Sequence, residues 1–401
     1  MKNTLLLPIC IATVVTLFSS GQAMAHDVVV KSSGYDNAAA FWCDANHMAI
    51  TLGGPMDAQQ QRSLYIDVRH PEQVQPIELK DKQGKNLQFR VQACKDQTFL
   101  LSALSKNQTI NKTLNQDALY LMLRGQPAQL LLVAKDSPTK TGASNVSLAG
   151  KYVVVSMPRN AIGNSYHLDK SCAGFIHPGF KTLCWDVKDD EVLALAQYVI
   201  TSYLWEDKVS VRVPGAGLKD VPNPQTPLPD ETGKPTVKKA VFLRDTGNKI
   251  LERLDHDQRF ALATMTFYAV SPDEKLLYAP CKLKGKSDFD DDYDQVCSYR
   301  LDGAAHAWES VFSFATSTHS GKGIQHLSID PANNIYFSLP GPHEQHGGIW
   351  KFEMAQAKFV HLPPGVPGQF DSNPRISPDG ETLAFERDST LFFAYHKEEK
   401  K

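Results

Sequence analysis

The sequence has almost no net charge and no basic run. It contains 42 lysines and arginines against 44 aspartates and glutamates, which gives a formal charge of −2. Binding to nucleic acid or to an anionic membrane surface needs clustered positive charge. The composition therefore favours neither partner, while a hydrophobic content of 42% supplies enough apolar material for a large core.

Local enzyme motifs are also missing. The chain has no G-x-S-x-G nucleophile elbow, no H-E-x-x-H zinc motif, no P-loop and no G-x-G-x-x-G dinucleotide loop. These absences exclude enzyme classes that carry a compact local signature. They leave open enzymes whose site residues are scattered acids and histidines on separate loops.

The only long apolar run is at the N-terminus. A short positive start precedes "LLLPICIATVVTLF", and "AMA" at Ala23 to Ala25 has the small-x-small pattern of a cleavage site. We interpret residues 1–25 as a secretory signal peptide, with an uncleaved anchor as the alternative, since the run is short for a bilayer span. The mature protein would begin at His26 as an exported protein, periplasmic or secreted, without a further membrane span.

No cysteine pair has the C-x-x-C spacing of a redox or zinc site, and no C-x-x-C-H motif is present, so we predict no haem c. Export to an oxidising compartment favours disulfides, and removal of Cys10 with the signal leaves an even number of six cysteines. Sequence alone permits fifteen pairings. Proximity favours two short pairs and leaves the third by elimination: Cys172–Cys184, Cys281–Cys297 and Cys43–Cys94.

The C-terminal region contains a marked turn-and-strand pattern. In "ISPDGETLAFER", Pro378 presets φ, Asp379 can bond nearby backbone, and Gly380 accepts a positive φ. The apolar run that follows fits a strand with both faces covered. The pattern recurs in "VSPDEKLLYAPC" and "SIDPANNIYFSL", where the spacing is 59 residues from Pro272 to Pro331 and 47 from there to Pro378.

A repeat of roughly fifty residues with paired strands predicts an all-β fold of the β-propeller type. One blade cannot bury both of its faces, so the copies must stack around an axis. We predict six to eight four-stranded blades, with seven favoured, over residues 26–401, and the clearest repeats lie in 240–396. Weaker copies begin at Cys43, Cys94 and Ser147. An N-terminal strand from "HDVVVKSS" or "AAFWC" should complete the last blade and remove its exposed edge.

The motif "SPDGETLAF" at Ser377 to Phe385 resembles the PD40, or TolB-like, β-propeller repeat family. The copies at Ser271 to Tyr278 and Ile329 to Phe337 are progressively more degenerate, and together the copies cover about the last third of the mature protein. The resemblance is specific for blade architecture and carries no catalytic residue. It implies a propeller that works through its surfaces, as a scaffold for a protein or peptide of the cell envelope.

The middle of the sequence departs from this repeat. "DDEVLALAQYVITSYLWED", from Asp189 to Asp207, has apolar residues at helical spacing and acids at its start, which predicts an amphipathic helix within a helical insertion at about 165–208. Six prolines then fall between Val213 and Pro235. We interpret 213–238 as a loop over a closed ring or, alternatively, a linker between two sections.

The acidic segment "SDFDDDYD" is the most distinctive candidate site. Carboxylates at alternate positions of a loop closed by Cys281–Cys297 can converge on one hard cation such as calcium. The spacing is similar to the opening of an EF-hand, but Tyr293 and Tyr299 replace its glycine and its final glutamate. The alternative is a solvated acidic loop. The proposed calcium ligands are Asp288, Asp290, Asp292 and Asp294.

Histidines form a second, weaker candidate. Loops of a propeller collect at one mouth of its channel, so histidines from several loops could meet there and hold a borderline metal. The candidates are His319, His326, His343 and His346. His26, as a mature N-terminus, could chelate copper(II). Two functions remain open from the sequence: a binding scaffold for an envelope protein or peptide, or a metal-dependent propeller enzyme of lactonase, hydrolase or oxidoreductase type.

Overall fold

The computed structural model describes the protein in segments separated by gaps. The described residues are 28–36, 38–52, 62–80, 86, 89–104, 116–126, 128–134, 145–149, 152–156, 167–169, 174–177, 180–184, 198–204, 208–213, 217–222, 228–229, 235–237, 239–245, 250–255, 259–263, 268–284, 293–302, 307–314, 323–342, 346–362 and 368–396.

Every regular element in these segments is a β-strand, which confirms the all-β prediction. No helix in this part of the protein has the length and apolar character that a bilayer crossing requires. Among the described residues, six sheets have four or more strands and two further sheets have two strands each.

Several of the larger sheets follow the sequence in simple antiparallel order. Sheet 1 consists of β2 (Ala39–Trp42), β3 (His47–Leu52), β4 (Arg62–Asp67) and β5 (Val74–Pro76). In sheet 4, β22 (Phe260–Leu262) and β23 (Ala269–Val270) both pair with β24 (Leu276–Leu283), followed by β25 (Gln295–Arg300) and β26 (Trp308–Ser313). Sheet 5 consists of β27 (Gln325–Ile329), β28 (Ile335–Leu339), β29 (Gly348–Glu353) and β30 (Lys358–Leu362).

Sheet 6 joins the N-terminal and C-terminal regions. Three of its strands are β31 (Asp371–Ile376), β32 (Thr382–Arg387) and β33 (Thr390–His396), and its fourth, outermost strand is β1 (Val28–Asp36). β1 is antiparallel to β33, and Val30 stands opposite Ala394. The predicted completion of the last blade by "HDVVVKSS" is therefore confirmed.

Sheets 2 and 3 are larger and less regular. Sheet 2 has seven strands, in the order β12 (His167–Asp169), β13 (Gly174–His177), β14 (Phe180–Cys184), β9 (Gln129–Ala134), β8 (Gln116–Leu123), β7 (Thr98–Leu104) and β6 (Phe89–Lys95). Sheet 3 has five, in the order β10 (Asn145–Ala149), β11 (Tyr152–Ser156), β15 (Tyr198–Leu204), β20 (Lys239–Asp245) and β21 (Ile250–Arg253). The pairing of β11 with β15 is parallel.

The helical insertion predicted at about 165–208 is wrong where the structure describes it. β12, β13 and β14 occupy its first part, and β15 occupies the second half of the predicted amphipathic helix; residues 189–197 lie outside the described part. β15 lies between β11 and β20, and Ile200 is fully buried. The β-branched residues and two tyrosines in "YVITSYL" favour a strand once both edges are paired.

The proline-rich segment also contains paired strands. β16 (Lys208–Val213) pairs with β17 (Gly217–Pro222), and β18 (Leu228–Pro229) pairs with β19 (Pro235–Val237). The choice between a loop over the ring and a linker for 213–238 stays a prediction, but the segment includes these paired strands. Proline is tolerated here because each pair has only two strands, so a missing N–H can face away from the partner.

Apolar side chains pack between neighbouring sheets. Phe312 of sheet 4 contacts Phe337 of sheet 5, with 5.4 Å between ring centroids. Phe393 of sheet 6 is fully buried in one cluster with Met48 of sheet 1, and Tyr65 of sheet 1 meets Phe99 of sheet 2 edge-on at 6.1 Å. Each such fully buried side chain contributes about 1.5–3 kcal/mol.

These contacts order the sheets in a ring. Further clusters join sheet 3 to sheet 4 and sheet 5 to sheet 6, and β6 of sheet 2 lies beside β10 of sheet 3. Each sheet packs against a neighbour on both of its faces, and β1 completes the last sheet. This is the architecture of a β-propeller. The first strands of neighbouring sheets contact one another, with β31 in this place in sheet 6, as the inner strands around a propeller channel do. We call these strands the inner strands.

Strand direction divides the loops between two ends of the ring. Because neighbouring strands are antiparallel, the turns after the inner strands lie at one end, here called the turn end. The inner strands begin at the other end, the loop end. β24 and β28, which precede the acidic segment and "GPHEQHGG", both end at the loop end, while residues 285–292 and 343–345 lie outside the described part.

The proline turns share one hydrogen-bonding scheme. Ser377 Oγ donates to Asp379 Oδ1 at 2.5 Å and accepts from the Thr382 N–H at 2.9 Å. Ser271 makes the corresponding bonds to Asp273 and Leu276. In the degenerate copy a carboxylate replaces the hydroxyl: Asp330 accepts from the N–H groups of Ala332 and Asn334, both at 2.9 Å, and from the Tyr336 hydroxyl. The repeat inferred from sequence is therefore one recurring turn.

Gly380 offers a test of how adjacent turns pack. Its φ is +81°, and a Cβ placed there would lie 3.2 Å from Pro331 Cδ of the neighbouring sheet. Gly380→Ala should cost about 2–3 kcal/mol of unfolding free energy, from the left-handed backbone and the contact together. The matched control is Gly34→Ala, with φ of +74° and no atom within 4 Å, which should cost only about 1–2 kcal/mol. Equal losses in urea denaturation would contradict the packing of the two turns.

Two of the three predicted disulfides are present. Cys43–Cys94 joins the end of β2 to β6 and so links sheets 1 and 2, while Cys281–Cys297 joins neighbouring strands of sheet 4. Cys172 lies outside the described residues, so Cys172–Cys184 stays a prediction. The Cys43–Cys94 bond closes a loop with a sequence separation of 51 residues. In the chain-entropy model it lowers the conformational entropy of the unfolded protein, which raises the free energy of unfolding by about 4 kcal/mol.

Candidate functional site

Two adjacent inner strands are bulged at equivalent positions near the loop end. Pairing of β27 with β28 shifts between Gln325 and Ser328, and pairing of β31 with β32 shifts between Ser372 and Arg375. A bulge adds a residue that the partner strand does not match, and it redirects the side chains around it. The Ile376 N–H donates to Ser328 Oγ at 3.0 Å, so the two strands lie side by side.

The extra residue in each bulge has a left-handed backbone. His326 has φ of +53° and Asn373 has φ of +59°. Asparagine tolerates this region well, but histidine does so at a cost, and such conformations concentrate at functional sites. Both residues stand five positions before the turn proline of their repeat, at Pro331 and Pro378.

A polar group surrounds the second bulge. Asn373 Nδ2 donates to Glu386 Oε1 at 2.6 Å, and Arg375 approaches the same oxygen at 3.4 and 3.5 Å. The side chains of Arg375 and Glu386 retain 20% and 24% of their accessible surface. Burial lowers the pKa of Arg375, and Glu386 opposes that shift.

Sheet 1 supplies two aromatic residues to the same place. Trp42 Nε1 donates to the carbonyl oxygen of Arg375 at 2.8 Å, and the guanidinium carbon of Arg375 lies 6.0 Å from the centre of the Phe41 ring. Three inner strands, β2, β27 and β31, thus converge with one residue of β32. We refer to the six side chains as the channel cluster: Phe41, Trp42, His326, Asn373, Arg375 and Glu386.

His326 is held neutral at physiological pH. Burial and the nearby charge of Arg375 lower the pKa of His326 from 6.5 to about 4. A neutral imidazole offers one donor and one acceptor nitrogen. The cluster therefore combines a guanidinium, a carboxylate, an amide and a neutral imidazole beside an aromatic wall, which suits recognition of a polar ligand through several directional hydrogen bonds.

The pKa of His326 predicts a specific acid sensitivity. The unfolded protein binds a proton on this residue near pH 6.5, but the folded protein does so only near pH 4. Stability from this group is therefore complete above pH 6.5 and falls by about 3 kcal/mol as pH drops to 4. His326→Asn, which suits the positive φ, should flatten this part of the stability curve in urea titrations. Exposed His70→Asn is the control, and equal slopes in both variants would contradict the assignment.

Comparison with known proteins does not supply a function. No family model matches the sequence, and no curated protein matches it. Among solved structures, it is similar to a gluconolactonase from Xanthomonas campestris, with 15% identity and a TM-score of 0.44 over 93% of this protein and 91% of that one. A component of the mitotic checkpoint complex has 11% identity and a TM-score of 0.44 over 99% of this protein and 100% of that component. The tricorn protease has 12% identity and a TM-score of 0.43, over 92% of this protein and 34% of the protease.

The predicted metal ligands are only partly described. Asp288, Asp290 and Asp292 lie outside the described residues, as do His26, His319 and His343. Asp294 is at the start of β25, where its carbonyl oxygen accepts from the Phe314 N–H. The carbonyl oxygen of His346 accepts from Trp350 Nε1. Within the described segments no group of three potential metal ligands converges, so calcium and the histidine site stay predictions.

Of the predicted site residues that the structure describes, His326 alone belongs to the channel cluster. The other members carry no local motif, which is why sequence reasoning missed them. One usable signal exists, because the residues that precede the turn proline lie on the inner strand of their sheet. Aligning "QHLSIDP" with "SNPRISP" would have placed His326 and Asn373 at the same channel position.

Proposed function

We propose that the protein is an exported β-propeller that binds a peptide or protein of the cell envelope at the loop end of its channel, in the manner that the TolB-like repeats suggest. The channel cluster carries this proposal, because it gathers polar and aromatic side chains from three different sheets in one place. The disulfides Cys43–Cys94 and Cys281–Cys297 support export, since such bonds persist in oxidising compartments.

The rim of the loop end adds apolar surface. Phe370 immediately precedes β31 and is 51% exposed, while Leu283, at the start of the segment leading to the acidic loop, is 45% exposed. An aromatic anchor next to a polar pocket is the usual composition of a peptide-binding hot spot. The signal peptide, the periplasmic location and the envelope partner belong to this proposal.

Site-specific photo-crosslinking in the cells that produce the protein tests it. A benzoylphenylalanine at Phe370 should give a discrete adduct with one partner. The matched control is the same group at Val74, an exposed residue on the outer strand β5. Adducts that are absent at Phe370, or identical at the two positions, would contradict a binding site at the channel mouth.

A further inference from the structure

The bonding of Arg375 leaves its guanidinium poorly satisfied. Its only hydrogen-bond contacts among the described residues are those of two nitrogens with a single oxygen, Glu386 Oε1, at 3.4 and 3.5 Å. Charge-assisted bonds of this type are normally about 2.7–2.9 Å long, and a guanidinium can make two in parallel. That oxygen already accepts the short bond from Asn373. The planar fork that suits bidentate recognition is therefore available to a ligand.

A second arginine on the same strand pair shows the difference. Arg387 Nε and Nη2 bind the two oxygens of Asp371, both at 2.7 Å, and the pair is almost fully buried. The protein thus forms an ideal bidentate arginine–carboxylate pair at one position of sheet 6. Arg375 forms no such bidentate pair, and a fifth of its side chain is open to solvent.

Few charged residues lie on the inner strands. Among the described strands that line the channel, the charged residues are Arg90, Lys95, Asp371 and Arg375. Asp371 is paired with Arg387, and Arg375 is paired with Glu386 of β32. His326 adds no charge near neutral pH. Arg375 is therefore the cation of the channel cluster that an anionic ligand would meet.

We propose that the channel cluster is a carboxylate-binding site, in which Arg375 binds a carboxylate of a peptide ligand bidentately and Phe41 and Trp42 cover the adjoining apolar part of that ligand. Arginine is suited to this role because its donors are fixed in a planar fork. The carboxylate can come from the C-terminus of the peptide or from an aspartate or glutamate side chain. This inference rests on the proposed peptide-binding function and specifies what the site recognises.

The test uses the purified mature protein and three pools of N-acetylated tripeptides, with retention measured by equilibrium dialysis and mass spectrometry. One pool has free C-terminal carboxylates and lacks acidic side chains, the second has the same sequences as C-terminal amides, and the third has amides with one aspartate or glutamate. We expect ligands from the first or third pool, which identifies the source of the carboxylate, and none from the second. The proposal would be overturned if the second pool were retained as well as the other two, or if neither the first nor the third pool were retained.

Variants separate recognition from folding. Arg375→Gln should weaken binding of the selected peptide at least tenfold, and Arg375→Lys should weaken it because the fork is lost although the charge remains. Arg300→Gln, at an exposed residue paired with Asp302 at the turn end, is the matched control and should bind as the wild type does.

Glu386→Gln should strengthen binding two- to tenfold, because it removes a competing carboxylate, and a folding defect cannot produce that gain. Unchanged affinity in both Arg375→Gln and Glu386→Gln would contradict the assignment.

An adduct at Phe370 without carboxylate dependence would leave the proposed function standing and reject only this inference. Carboxylate binding without an adduct at Phe370 would leave this inference standing and reject the proposed function.

Discussion

Removal of residues 26–36 should abolish the cooperative thermal unfolding of the mature protein. The deletion removes β1, whose Val28 and Val30 pack against the apolar cluster of sheet 6. It also removes the bond from Ser33 Oγ to the Leu391 carbonyl oxygen at 2.7 Å. β33 would then become an exposed edge with unpaired N–H and C=O groups, which favours aggregation over a closed ring. Differential scanning calorimetry of the deleted and full mature proteins measures the effect.

A synthetic peptide of residues 26–36 provides the control for this deletion. Added in excess during refolding, it should pair with β33 as an added strand and restore a cooperative transition. The same peptide with Val28 and Val30 replaced by aspartate should not restore it, since those side chains face the apolar cluster. A truncated protein that unfolds as cooperatively and at the same temperature as the full mature protein would show that β1 does not close the last blade.

Loss of the buried ion pair between Arg387 and Asp371 should cost about 3–5 kcal/mol of unfolding free energy, because the remaining charge has no partner and little water. The two side chains retain 8% and 3% of their surface, and both bonds measure 2.7 Å. The Arg387 guanidinium also lies over the rings of Phe385 and Phe392, at 5.3 and 5.4 Å from their centres. Urea denaturation of Arg387→Ala measures the loss through the shift of the midpoint.

An exposed ion pair provides the comparison for that result. Arg300 and Asp302 retain 51% and 36% of their side-chain surfaces, so Arg300→Ala should leave the urea midpoint nearly unchanged. The double variant Arg387→Met with Asp371→Leu should be less destabilised than Arg387→Ala, because no buried charge is left alone. Equal losses for Arg387→Ala and Arg300→Ala would contradict the burial of the first pair.

The parts of the fold that sequence could predict are those encoded in short segments. Pro378, Asp379 and Gly380 specify a turn by their own backbone preferences, and the structure forms that turn with φ of +81° at Gly380. The apolar strands after each turn and the pairing of Cys281 with Cys297 depend on equally local reasoning. The β1 pairing was also predictable, since a ring with an unpaired last blade would expose an edge.

The features that sequence did not predict depend on distant partners. "YVITSYL" in β15 has helical spacing of apolar residues, but β11 and β20 pair with both of its edges, and tertiary pairing overrides a local pattern. The channel cluster likewise joins residues more than 300 positions apart, such as Trp42 and Arg375. No local motif brings these side chains together; the closed ring does.

The closure of the ring can be tested by one engineered cross-link. Val30 and Ala394 stand opposite each other in the β1–β33 pair, within the range that a disulfide can bridge. The mature Val30→Cys, Ala394→Cys variant should form an intramolecular disulfide on oxidation, and its free energy of unfolding should exceed that of the reduced form by up to about 5 kcal/mol. Failure to cross-link under native conditions, or cross-links only between molecules, would contradict a propeller completed by its own first strand.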